Sequence, residues 1–280
     1  MLKLLKSALT VSLVSFLISC SSEQEEIHPV NEDILFLVLG KMAIYIQDEN
    51  GEHALRDHHF VAEIMPKETG TILGGALTSK DDPNFNLPFN PEGPQFLAHG
   101  ERTMKADDLH EAHPDGTYIF NYQTPNGEMI GQPLTIERRD TTDVMPLPAT
   151  LSLSQNGARV KEDAIDATSD LTIFWSQMSG NMKAESSELA DLIFVLAFDC
   201  FGNNIAHSGR PYNAKPFLTY EDTSFTIPAS ALNTGVSYNL IVEQATADVM
   251  RHQGVPGIAT YATLTFLDAK TTGASVCPVK

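Results

Sequence analysis

The chain has 280 residues, 42% of them hydrophobic, with 36 acidic against 18 basic side chains and a formal net charge of −18. A surface this negative repels nucleic acid and anionic lipid or polysaccharide, which leaves proteins, neutral glycans and cations as partners; the acidity can equally serve solubility or tolerance of salt. The length suffices for two ordinary domains.

In chain order, residues 1–19 read as an export signal. Lys3 and Lys6 form a positive start, and residues 8–18 are almost wholly apolar, over a length that suits a secretory signal but not a membrane-spanning helix. The run ends Leu17-Ile18-Ser19-Cys20, which resembles the bacterial lipobox. That resemblance implies cleavage before Cys20 and acylation there, so that the mature protein is a lipoprotein of the bacterial cell envelope, held to a membrane by palmitate-type chains. With no aspartate directly after Cys20, resemblance to enterobacterial lipoproteins implies the outer membrane. Each buried methylene contributes about 0.8 kcal/mol, so several chains together attach firmly. An ordinary signal peptide with a chance cysteine is the alternative. Residues 20–32 are polar and acidic and read as a lipidated tether.

Residues 33–137 read as a β-rich domain with one short helix. The segment 34–46 is dense in aliphatic strand formers, with Gly40 as an expected bend or bulge, and reads as two strands or one bent strand that stops at the turn signal Asp48-Glu49-Asn50-Gly51. A second apolar run covers 59–65. The stretch 67–93, scattered with Gly, Pro, Asn and Asp, reads as a surface loop with one short strand near 71–77. Two helical turns are expected over 105–112. A strand over 117–122 then returns through Pro125-Asn126-Gly127 as a hairpin. Residues 138–149, charged and then twice interrupted by proline, read as an exposed linker.

Residues 150–280 supply about six or seven strand-length segments separated by turn residues, the pattern of an all-β sandwich. Leu171-Thr172-Ile173-Phe174-Trp175 resembles the second-strand motif of fibronectin type III domains, with its indole packed across the core. Leu232 and Tyr238 stand six apart, like the leucine and tyrosine of the family's corner motif, although Thr234 and Val236 replace its proline and threonine. The resemblance implies a fibronectin type III-like sandwich in which Trp175 and Tyr238 are buried. In an exported chain Cys200 and Cys277 either pair or remain free thiols.

Chemistry-bearing patterns are few. His110-Glu111-Ala112-His113 places two imidazoles three apart on one short helix, weak candidates for a metal with a third ligand from His58, His59 or His99. The zincin spacing HExxH is missed, and Pro114 ends the helix at His113. Asp81, Asp82, Asn84 and Asn86 offer oxygen ligands for calcium but lack the ordered loop spacing and are interrupted by Pro83, so they, like Glu162, Asp163, Asp166 and Asp170, read as solvated loops. No nucleophile elbow, phosphate loop or dinucleotide fingerprint occurs. The expectation is therefore a membrane-anchored, non-catalytic envelope lipoprotein without cofactors, with a binding or structural role towards a protein or neutral glycan. The alternative is a metal-binding protein or metal-dependent hydrolase centred on His110 and His113.

Overall fold

A computed structural model describes residues 28–139, 145–179 and 188–278; Cys20 and its lipobox lie outside these. The two longest early strands, β1 (Ile34–Gln47) and β2 (His53–Pro66), are joined by the turn at 48–51. There follow β3 (Gly74–Ser79), β4 (Asn86–Pro88), β5 (Asn90–Glu92), β6 (Gln95–Thr103), the helix α1 (Ala106–Ala112), β7 (Gly116–Thr124) and β8 (Gly127–Ile136). The C-terminal half contains β9 (Leu151–Gln155), β10 (Ala158–Val160), β11 (Leu171–Trp175), β12 (Leu192–Asp199), β13 (Asn204–His207) and β14 (Leu218–Thr219). It ends with β15 (Ser224–Ile227), β16 (Ser237–Ala245), β17 (Asp248–His252) and β18 (Val255–Lys270). The protein is mainly β, as its residue pattern requires.

These strands build three sheets. The largest has ten strands and runs β13-β12-β16-β18-β1-β2-β6-β5, with β14 paired to β12 and β17 to β18. The other two have four strands each, in the orders β4-β3-β7-β8 and β10-β9-β11-β15. Strand β18 joins the halves: it lies antiparallel to β16 and parallel to β1, in register from Leu37↔Gly257 to Gln47↔Leu267. Its first nine residues are all buried, as expected of a strand covered on both faces.

The period-two alternation of side chains divides the long sheet into two faces. On one face Leu37 and Leu39 of β1, Phe60 and Ile64 of β2, and Tyr261 of β18 pack onto Leu77 and Phe120 of the first small sheet. Farther along, Val195, Leu240, Val242 and Leu267 of the same face pack onto Leu153, Ile173 and Trp175 of the second small sheet, forming a two-sheet β-sandwich. One sheet thus covers two cores side by side.

Trp175 is 5% exposed, and its Nε1 donates to the Asp222 carbonyl at 2.9 Å, so the buried indole keeps no unpaired donor. Tyr238 is 2% exposed, and its hydroxyl accepts from the Asn233 N–H at 2.7 Å, pinning the corner that leads into β16. Cys200 and Cys277 form a disulfide with a Cα–Cα distance of 5.7 Å. The expected hairpin is present as β7 and β8, turning on Pro125-Asn126, with Gly127 at φ 131° opening the return strand.

Three local expectations are refined or corrected. Segment 34–46 is one strand rather than two, continuous through Gly40 with no register shift there; a Cβ at Gly40 would lie 2.9 Å from Thr260 Cγ2, so the glycine answers to crowding by the neighbouring strand. The stretch 67–93 holds β3, β4 and β5, because β3 finds β7 as a partner far along the chain. The segment 138–149, in its described part, is mixed: Arg138 and Leu147 are exposed, while its other described residues make contacts to the body of the protein. Arg139 makes a bidentate ion pair with fully buried Asp191, Ala149 is buried, and Thr263 Oγ1 donates to the Pro146 carbonyl.

Candidate functional site

The second face of the long sheet encloses a cavity. Arg210, just after β13, donates from Nη2 to Gln95 Oε1 of β6 at 3.2 Å, so side chains from opposite ends of the eight-strand path meet. A sheet curled this far on eight strands leaves an interior wide enough for side chains or one small ligand. Here the space is about 320 Å³, at the small end of the range for small-molecule sites. Val38, Val61, Leu97, Leu196, Ile258 and Leu264 form its apolar walls, each taken from the face opposite the two cores. Gly40 falls on this face by alternation and leaves the floor of β1 without a side chain between Val38 and Met42.

Two carboxylates interrupt the apolar lining. Glu63 sits between fully buried Ala62 and Ile64 on β2, and Glu243 between Val242 and Gln244 on β16. Burial pushes both up to about 7 from the usual carboxylate range; Glu63 adds to the rise at Glu243 by like charge, while Arg210 pulls Glu63 back. Among the described residues neither carboxylate makes a hydrogen bond or an ion pair with another side chain. Thr260, also on the lining and only 5% exposed, has a hydroxyl without a partner.

Histidines and arginines complete the polar part. Burial pushes His59 down to about 4, so it is neutral at neutral pH. Its ring stacks on His99 at 4.9 Å, with His59 Nε2 3.2 Å from His99 Nδ1, and His99 Nε2 lies 2.8 Å from Glu92 Oε1. The partners assign the protons: His99 donates from Nε2 to Glu92, and its Nδ1 accepts from His59 Nε2–H. His207, held down to about 4 by burial and then by Arg210, accepts from the Gly209 N–H at Nδ1. At the rim Arg56 and Arg102 share Asp57 at 3.1 and 2.8 Å.

The histidines favoured by the sequence pattern lie elsewhere. His113 caps α1, is 5% exposed and stacks on Phe60 with ring centroids 4.3 Å apart, both nitrogens lacking a polar partner. Burial holds its imidazole down to about 4. His110 instead has Nδ1 3.3 Å from Lys41 Nζ. Lys41 is fully buried on β1 and bonds Asp115, which also accepts from Tyr261 and pairs with Arg138, so the lysine and the aspartate are partnered while His110 Nε2 is buried without a partner. Of the suggested third ligands, His59 and His99 face the cavity on the far side of the sheet, and His58 is buried with Nδ1 unpaired. No group of three or more metal-ligating side chains placed to hold an ion occurs among the described residues.

Three of the loop carboxylates accept from backbone N–H groups, two of them locally and Asp170 across the chain. Asp82 accepts from Asn84 N–H, Asp166 from Thr168 N–H, and Asp170 from Ala229 N–H. Glu63 and Glu243 were not singled out by sequence reasoning, although each is a lone carboxylate at an apolar run, FVAEIM and LIVEQA. That pattern is the available signal.

Chemically, the cavity offers apolar contact, two carboxyls able to exchange a proton near neutral pH, and three guanidinium groups, of which Arg56 and Arg102 are paired with Asp57. Its described lining contains no serine, cysteine or lysine. No protein-family model matches the chain, and no curated protein is detectably similar to it.

Proposed function

We propose that this protein is a non-catalytic binding lipoprotein of the bacterial envelope, anchored through lipid on Cys20, whose ligand is a small, largely apolar molecule held on the concave face of the long sheet. The carrying observation is the cavity of about 320 Å³ walled by alternate residues of six neighbouring strands. A well-formed apolar pocket with a few convergent polar groups is the arrangement that small-molecule sites share. The fibronectin type III-like sandwich serves as a frame, because β12, β16 and β18 face the sandwich core on one side and the cavity on the other. Lipid at Cys20 keeps this site near a membrane: the fourteen positions from there to Ile34, fully extended, reach at most roughly 50 Å.

Two measurements test the reading. Soluble protein beginning at Ser21 is titrated with N-phenyl-1-naphthylamine, a neutral apolar probe, alongside Leu97→Trp and Leu196→Trp, which fill the cavity from opposite sides. Saturable fluorescence enhancement in the parent and its loss in both folded variants is expected; equal enhancement in all three refutes the cavity as the site. Metabolic labelling with palmitate, with Cys20→Ala as control, tests the anchor.

A further inference from the structure

The cavity carries more information than its size. Its depth holds Glu63 and Glu243 against one guanidinium, Arg210, which spends a hydrogen bond on Gln95 and makes no ion pair within 4 Å among the described residues. At the rim Arg56 and Arg102 are matched in part by Asp57, and His99 by Glu92. His59 and His207 are neutral. With both inner carboxylates ionised, Glu63 and Glu243 set two negative charges beside the one guanidinium of Arg210, while Arg56 and Arg102 at the rim are held by Asp57; locally the inner group lacks one positive charge, which a single cation supplies. A half-buried carboxylate without a partner is costly to keep ionised, and a charged donor brought by a ligand offsets that cost. Thr260 adds an unpaired hydroxyl to the same lining. Around these groups the walls are aliphatic, so a hydrated metal ion or a bare polyamine finds no complement.

Resting on the reading of the cavity as a ligand site, we propose that its ligand is a monovalent ammonium compound with an apolar tail, the nitrogen engaging Glu63 and Glu243 and the tail lying along Val38, Leu196 and Ile258. Binding then depends on pH through the two carboxylates, which face Arg210 and His207 from the β13 side, His59 and Arg56 on β2, and His99 and Arg102 on β6. Above neutrality both carboxylates are ionised and cation affinity is highest; as they take up protons it falls.

Calorimetric titration with octylammonium, 1-octanol and octanoate separates tail from charge. At about pH 8 the parent protein is expected to bind octylammonium at least about tenfold more tightly than 1-octanol, a difference of about 1.4 kcal/mol, with octanoate weakest. Glu63→Gln/Glu243→Gln should abolish the preference while keeping 1-octanol binding, which also shows that the variant is folded. Lowering the pH to about 5.5 should shrink the preference in the parent alone. Octylammonium binding no tighter than 1-octanol, or a preference that survives in the double variant, overturns the proposal and leaves the cavity reading standing. Failure of all three compounds to bind overturns both.

Discussion

Replacing Glu63 by glutamine removes a charge that the fold tolerates only at a cost. Its carboxyl rises from an ordinary 4.5 to about 7, chiefly through burial. Each pKa unit corresponds to 1.36 kcal/mol, so holding the ionised form costs about 3 kcal/mol, trimmed to about 2–3 kcal/mol because solvent reaches the cavity. The folded pKa lies above the unfolded one, so folded protein binds more protons between these values and stability falls as pH rises through that window. The penalty is absent below about pH 4.5 and complete above about pH 7. Glu63→Gln, nearly isosteric, should therefore raise the unfolding free energy by about 2–3 kcal/mol at about pH 8 and change it little at about pH 4. Because like charge from Glu63 contributes to the shift at Glu243, the double glutamine variant should gain less than the two single variants summed. Guanidinium denaturation of the ligand-free protein at the two pH values provides the assay. A Glu63→Gln variant that is less stable at about pH 8, or that gains equally at both values, would falsify the placement of an unpartnered carboxylate in the cavity.

Further outcomes follow from the two cores. His113, with a folded pKa near 4 against an ordinary 6.5, should cost stability as pH falls from about 6.5 to 4; His113→Phe, preserving the stack on Phe60, should remove about 2 kcal/mol of that acid loss, and an unchanged pH profile would refute it. Adding a chelator should leave the melting temperature of the parent unaltered, whereas a drop matched by His110→Ala and His113→Ala would establish a metal. Trp175→Ala should cost about 3–5 kcal/mol, measured by denaturation, and a value near zero would deny it a core position. Substituting both Cys200 and Cys277 by serine opens a loop spanning 77 residues and should cost about 4–5 kcal/mol on loop entropy, again read by denaturation; no loss would show that the unfolded chain is equally restricted without the bond.

Much of the fold was legible where the signal is local. The alternation of LTIFW placed Leu171, Ile173 and Trp175 on one buried face, and the spacing of Leu232 and Tyr238 marked a corner that the Asn233 hydrogen bond secures. The β7–β8 hairpin followed from turn chemistry alone. What escaped is non-local. Nothing in residues 34–47 states that they pair in parallel with a strand more than 200 positions later, yet that pairing fuses the halves into one sheet and gives its second face a concavity. The same geometry explains why the site was missed: β2 and β18 are covered on both faces, so their near-continuous apolar runs hide which residues face a core and which face the cavity. His110 and His113 attracted attention through spacing, but tertiary packing separated them, one into a lysine–aspartate network and the other onto an aromatic ring.

The central claim is that the concave face of the long sheet, rather than either core or the outer surface, receives an apolar ligand. Intermolecular nuclear Overhauser effects between 1-octanol and methyl-labelled protein locate the ligand directly. Contacts should appear at the methyls of Val61, Leu97 and Leu196 on the cavity wall and be absent at Leu77 and Leu153 within the two cores. Contacts confined to Leu73, Ile130 and Leu147, which are exposed on the outer surface, would contradict the account.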